Sequence, residues 1–237
     1  MSSAEETTVS KARMLVVLLW TLIPSLAIWF GLYQLKSAFI TFVFYHGVCL
    51  TPAIIWGRKL WQPTFTKPRW RDLGLLLLVS IVFCVATVVS YELIGSRLLS
   101  NDNALKLISQ YAASSWSLLA FLSAFIIVIN PFLEELFWRG VVFNELDTWH
   151  IKYKHFGLVW SSCAYALFHY LIFRLVLFPV FAEIGIVMLA FFGASLAMLY
   201  RKTGSIVTTA LAHGMLTDLA VVALIADLLC HHPNFLR

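Results

Sequence analysis

Seven long apolar runs divide this chain, near residues 14–35, 38–57, 73–95, 115–138, 157–173, 184–200 and 205–229. Each approaches the ~20 mostly apolar residues that a helix needs to cross a bilayer. In hydrocarbon, every backbone polar group has to be satisfied within the spanning element, so runs of this kind become helices. The expected fold is all-α, a polytopic transmembrane helix bundle of about seven spans. The charge content agrees. Only 12% of the 237 residues are charged, whereas a soluble domain carries about 25%. The net charge of +5 fits the Lys and Arg excess of cytoplasmic loops and does not call for a nucleic-acid partner.

The first run is too long for a signal peptide and no Ala-x-Ala site follows it, so it reads as an uncleaved helix. Residues 1–13 form a polar N-terminal tail, and residues 14–237 read as a single transmembrane domain without internal repeat. Cys49, Cys84, Cys163 and Cys230 lie singly, with no Cys-x-x-Cys spacing, which indicates neither a disulfide framework nor a zinc cluster.

Basic residues gather in alternate connections. Lys11 and Arg13 precede the first run, Arg58, Lys59, Lys67, Arg69 and Arg71 follow the second, Lys152 and Lys154 follow the fourth, and Arg201 and Lys202 follow the sixth. The other connections hold Lys36, Arg97, Lys106 and Arg174. That asymmetry predicts a cytoplasmic N-terminus and an external C-terminus. The expected home is a bacterial or archaeal inner membrane.

Against this background one stretch stands out: Asn130-Pro131-Phe132-Leu133-Glu134-Glu135-Leu136-Phe137-Trp138-Arg139-Gly140. A charge near the bilayer centre costs at least ~2.5–3.5 kcal/mol on insertion scales, so ionisable residues there mark functional sites by default. On a helix, Glu135 and Arg139 are i,i+4 with the acid N-terminal, the favourable order for an ion pair. Glu134 points about 100° away and cannot share that partner in the same way. One carboxylate is expected to be neutralised and the other left for chemistry.

Two later runs carry a histidine. His169 lies about twelve residues into the fifth run, ~18 Å at the helical rise, and His213 about nine residues into the seventh. Glu134 approaches the same inner leaflet from the opposite direction, so three helices present Glu134, His169 and His213 at overlapping depth. Each has a polar i,i+4 neighbour: Asn130 for Glu134, Tyr165 for His169 and Thr217 for His213. Other polar residues read as interfacial. His46 and Glu92 fall near outer span ends, Arg174 and Glu183 flank an outer turn, and Asp227, His231 and His232 belong to the C-terminal end, where snorkelling suffices.

Glu-Glu-x-x-x-Arg, then aromatic-x-x-x-His, then a third helix bearing His resembles the CPBP family of intramembrane proteases, in that family's order. These are related to the CAAX prenyl endopeptidase of the Ras-converting type and are also called the Abi family. The similarity covers about residues 115–229. The resemblance implies a membrane endopeptidase of the glutamate type with its active site inside the bundle and opening toward the cytoplasm. Its substrate would be a membrane-associated or lipidated protein or peptide, cut near its C-terminus. Residue by residue, Glu134 matches the acid that activates water, His169 the histidine that works with it, and His213 the histidine that stabilises the oxyanion. The family carries an Asn four residues after that last histidine, where this chain has Thr217 followed by Asp218, and Tyr165 replaces the usual Phe.

Three alternatives stay open. One Glu and two His also suit a three-ligand zinc site with water in the fourth position; no His-Glu-x-x-His spacing is present, and metal-free chemistry is expected. A non-catalytic scaffold or immunity protein on the same fold would share the spans. A proton-coupled transporter would also bury Glu and His, but would show repeat symmetry or paired broken helices.

Overall fold

The computed structural model describes residues 11–112, 115–148, 155–232 and 235. Residues 1–10, most of the proposed tail, and Lys152 and Lys154 lie outside them. The described residues hold no β-strand, and seven helices are long and apolar enough to cross a membrane. This is an integral, multi-pass membrane protein. We label the spans α1 (Arg13–Gln34), α2 (Ala38–Trp56), α3 (Trp70–Leu98), α5 (Trp116–Asp147), α6 (Phe156–Val176), α7 (Pro179–Thr203) and α8 (Ile206–His231). Between α3 and α5 lies a shorter helix, α4 (Asn101–Ala112).

The spans match the apolar runs, with three differences. Helix begins at Lys11, inside the stretch read as a tail. α5 continues nine residues past its expected end at 138, to Asp147. Its polar tail stays helical because each charge finds a partner: Glu145 pairs with Arg13 of α1, and Asp147 with Arg201 of α7 at 2.6 Å. The third difference is α4, an amphipathic helix that is too polar to read as a span. Its Leu105 and Ile108 seat against Leu228 and Leu229 near the end of α8.

Turn chemistry places α8. Gly204 adopts φ 62°, a left-handed conformation that closes α7 and that residues with a Cβ adopt only with strain. Ser205 then caps α8, accepting from the Thr208 amide at 3.2 Å while donating to the Thr66 carbonyl at 2.9 Å. α7 folds back along α6, and α8 wedges between α5 and α3. The main core joins α1, α2, α5 and α6 around Trp138, which stacks on Phe168 with ring centres 5.9 Å apart.

Four stretches widen into π-helical turns: Trp29–Gln34, Phe44–Leu50, Leu136–Phe143 and Gly214–Asp218. Such turns concentrate at functional sites because they redirect side chains that a regular helix would space evenly. The last three converge on one place.

Candidate active site

Pro131 sits within α5 and has no N–H, so the Ile127 carbonyl loses its partner one turn on. Gly214 of α8 fits against that point. A Cβ on Gly214 would lie 2.3 Å from the Ile127 oxygen and 3.0 Å from Pro131 Cγ. The two helices therefore touch backbone to backbone here, and the preceding residue, His213, enters the acidic face of α5.

Glu135 is fully buried and Arg139 is 1% exposed. Arg139 Nη1 donates to Glu135 Oε1 at 2.8 Å, and Nη2 donates to the Gly193 carbonyl of α7 at 2.8 Å. The same Glu135 oxygen lies 2.9 Å from His213 Nδ1. A carboxylate only accepts, so Nδ1 is the donor. Glu135 thus ties α5 to α8, and Arg139 ties α5 to α7.

Glu134 faces elsewhere. Its Oε1 accepts from Asn130 Nδ2 at 3.1 Å, and its Oε2 lies 3.8 Å from His213 Nε2 without a hydrogen bond among the described residues. His213 Nε2 also meets the Tyr165 hydroxyl at 3.1 Å and the Asp218 carboxylate at 3.6 Å. His169 Nδ1 donates to the Tyr165 carbonyl at 2.9 Å, which leaves Nε2 as the nitrogen available for other work. His169 lies within electrostatic reach of Glu134 and His213. The guanidinium of Arg139 sits 5.0 Å from the Tyr165 ring centre and holds that ring in place. Glu134 and His213 lie together with Asn130, Glu135, Arg139 and Tyr165, and His169 joins them through Tyr165.

Thr217 is placed differently. Its hydroxyl donates back to the His213 carbonyl at 2.9 Å, within its own helix. One hydroxyl has one hydrogen, so the 3.3 Å approach to Asp218 is the weaker option. Tyr165 holds the neutral hydroxyl nearest to His213 Nε2 instead.

Two residues of α2 also reach this site: Tyr45, which the sequence reading does not single out, and His46, which it places near an outer span end. Tyr45 is buried, and its hydroxyl faces the Glu134 carboxylate without a hydrogen bond of normal geometry. His46 is not interfacial: its Nε2 lies 3.0 Å from Asn130 Oδ1. Counting from span ends mislocated it, because the π-turn Phe44–Leu50 swings His46 inward. Buried polar atoms without a hydrogen-bond partner among the described residues gather here, at Glu134 Oε2, Glu135 Oε2, Asp218 Oδ2, Tyr45 Oη and Arg139 Nε. Such atoms are rare in folded proteins and cluster where chemistry is done. Elsewhere, Glu92, Asp227 and His231, read as interfacial singly, come together with donor atoms within 4.8 Å of one another.

A carboxylate and two histidines, enclosed between spans of a multi-pass helix bundle, define the class: a membrane protein with ionisable side chains gathered inside its bundle. Residues 114–217 match the type II CAAX prenyl endopeptidase Rce1-like family. The matched part is the one that builds the site, from α5 to the π-turn of α8, and in it the chain is similar to that family of CAAX protease-like peptidases. Comparison with curated proteins and with solved structures returns no match.

Proposed function

We propose that this protein is an intramembrane endopeptidase of the glutamate type, hydrolysing a peptide bond near the C-terminus of a membrane-associated or lipidated substrate. The observation that carries this is the division of labour between adjacent acids. Glu135 is held by Arg139 and His213, whereas Glu134 keeps one oxygen unpaired and aimed toward His213. Glu134, with His169 Nε2 as its partner, takes a proton from water, and the hydroxide adds to the scissile carbonyl. His213, carrying a hydrogen on both ring nitrogens between Glu135 and the carboxylates of Glu134 and Asp218, turns its Nε2–H from the Tyr165 oxygen to the developing oxyanion, with the Tyr165 hydroxyl beside it. Each such donor is worth ~2.7–4 kcal/mol. Collapse of the tetrahedral intermediate breaks the C–N bond. The proton passes from Glu134 to the departing amine, leaving a carboxylate and an amine as products.

Zinc on Glu134, His169 and His213 would need a free nitrogen from each histidine. His169 offers Nε2, but His213 has Nδ1 on Glu135 and Nε2 against Tyr165. This donor set suits hydrogen-bond chemistry better than ligation. The single transmembrane domain, 14–237, would then hold the whole catalytic apparatus.

The test is cleavage of a peptide ending in a farnesylated cysteine and three further residues by the purified full chain. Glu134→Gln should lower turnover by about 10²–10⁴, the usual worth of a general base, while exhaustive chelation should leave it unchanged. Turnover by Glu134→Gln at the wild-type rate refutes the assignment. Loss on chelation that zinc restores moves the chemistry to a metal.

The basic α2–α3 connection supports an N-terminus in the cytoplasm, an external C-terminus and a site opening inward. Phe65 lies exposed in that connection. A cysteine placed there should react with an impermeant maleimide only from the cytoplasmic side, and labelling from outside reverses the orientation.

A further inference from the structure

Asn130 connects the candidate base to a helix outside the family-matched segment. Its amide is oriented by chemistry. Glu134 Oε1 only accepts, so the group 3.1 Å from it is the NH₂ of Asn130, and the Asn130 oxygen faces α2. There it meets His46 Nε2 at 3.0 Å. Two acceptors cannot bond, so Nε2 of His46 carries a hydrogen and donates.

The His46 ring is itself fixed. Nδ1 lies 3.0 Å from the Phe42 carbonyl one turn back. Both ring nitrogens thus lie within hydrogen-bond distance of an oxygen, which fixes the plane of the ring. Phe42 packs on the ring at 4.3 Å between centres, and Tyr45 and Phe125 meet it edge-on at 5.0 and 5.3 Å. A ring gripped on three sides cannot turn to another partner. Nothing in packing alone calls for a donor at this spot, since Phe42, Tyr45 and Phe125 would accept a phenyl ring equally well.

We infer that His46 is a positioning residue for Glu134, acting through Asn130: it locks the amide so that one Glu134 oxygen is held and the other stays free for water. The inference rests on the proteolytic reading above. It explains why α2 carries a histidine at this depth, and why Asn130 precedes the acid by one turn. If Asn130 could flip, its oxygen would face the carboxylate and repel it. Glu134 would then lose its fixed rotamer.

The experiment uses the full chain in lipid nanodiscs with the farnesylated peptide. His46→Phe keeps the ring packing and removes the donor. It should lower kcat by about tenfold, as small misplacements of a base do, with KM changed less than about twofold. His46→Gln can present an amide N–H at the place of Nε2 and should recover most of the loss. In an Asn130→Ala background, His46→Phe should add nothing further. Wild-type kcat in His46→Phe, multiplying losses in the double variant, or no rescue by Gln would each overturn the relay. Should His46→Phe not fold, His46→Gln and Asn130→Ala carry the comparison. A second readout is independent of activity. The Nε2 proton of His46 should be protected from exchange in ¹⁵N NMR of the wild-type protein, and that protection should vanish in Asn130→Ala. A freely exchanging Nε2 proton overturns the relay. Normal turnover by Glu134→Gln sinks the proteolytic reading instead and leaves the NMR result standing.

Discussion

α3 and the inner half of α5 are both sequences that a bilayer would accept, and they meet opposite surroundings. Of the 29 residues of α3, only Ser80 and Gly95 are buried, and most of its Leu and Val side chains are exposed or half-exposed. In α5, every residue from Phe137 to Phe143 is buried, as are Pro131, Glu134 and Glu135. α3 keeps its charges, Arg71, Asp72, Glu92 and Arg97, near its two ends, whereas the buried segment carries Glu134, Glu135 and Arg139 within it. Lipid tails are as apolar as leucine, so no hydrophobic force draws α3 into the bundle. Polar groups do supply such a force, because in hydrocarbon they have no partner except one another. In this protein the acids and their partners collect the helices around themselves, and the most apolar span is left outside. The aromatic packing of Trp138, Tyr165 and Phe168 fills what remains.

Four substitutions press on that contrast. The largest effect on stability should come from Glu135→Ala or Arg139→Ala. Each leaves a buried charge without its partner, at a loss of ~3–5 kcal/mol. Thermal melting in detergent should fall for both, together with activity. Wild-type melting in either variant would mean that the pair does not hold the helices. A smaller loss is expected from Gly214→Ala. The added methyl meets the Ile127 carbonyl and must push α8 off α5, an overpacking cost of ~1–3 kcal/mol. Turnover should fall more steeply than stability, since His213 moves with the helix; equal wild-type activity and melting would show that the contact is loose. Least of all should follow from Leu78→Ala in α3, a side chain 60% exposed. Its melting change should stay within about 0.5 kcal/mol. A large drop there would reveal that α3 is packed against something that its exposure does not show.

Gly214 also explains why the site is more specific than its list of residues. Any α5–α8 pair bearing Glu and His at matched depth could bring them within reach. The loss of an N–H at Pro131 and of a Cβ at Gly214 makes the approach close enough for His213 Nδ1 to reach Glu135 at 2.9 Å.

Much was legible in the residue order alone. The seven spans follow from the length of apolar runs, since a bilayer imposes a fixed distance on any helix that crosses it. The Glu135–Arg139 pair follows from helical spacing, and the convergence of Glu134, His169 and His213 from depth counting, because both are properties of single straight helices. The residue order says less where a helix is not regular or not alone. The end of α5 is hidden in it because Glu145 and Asp147 look like loop residues until Arg13 and Arg201 arrive from other spans. α4 is hidden because it lies outside the spans, and its apolar face has meaning only against Leu228 and Leu229. Thr217 neighbours His213 by spacing, but its hydroxyl bonds within α8.

His46 marks the boundary most sharply. Counting along its span gives neither its direction, which falls in a π-turn, nor its partner, which is 84 residues away. Local order determined seven helices apolar enough to cross a membrane, and an Arg139 partner for Glu135 on the same helix. That Glu135 also meets His213 of α8, and that Asn130 meets His46 of α2, was decided only by tertiary contact. Hydrogen-bond direction in these pairs belongs to groups brought together in space, because their two members sit on different helices.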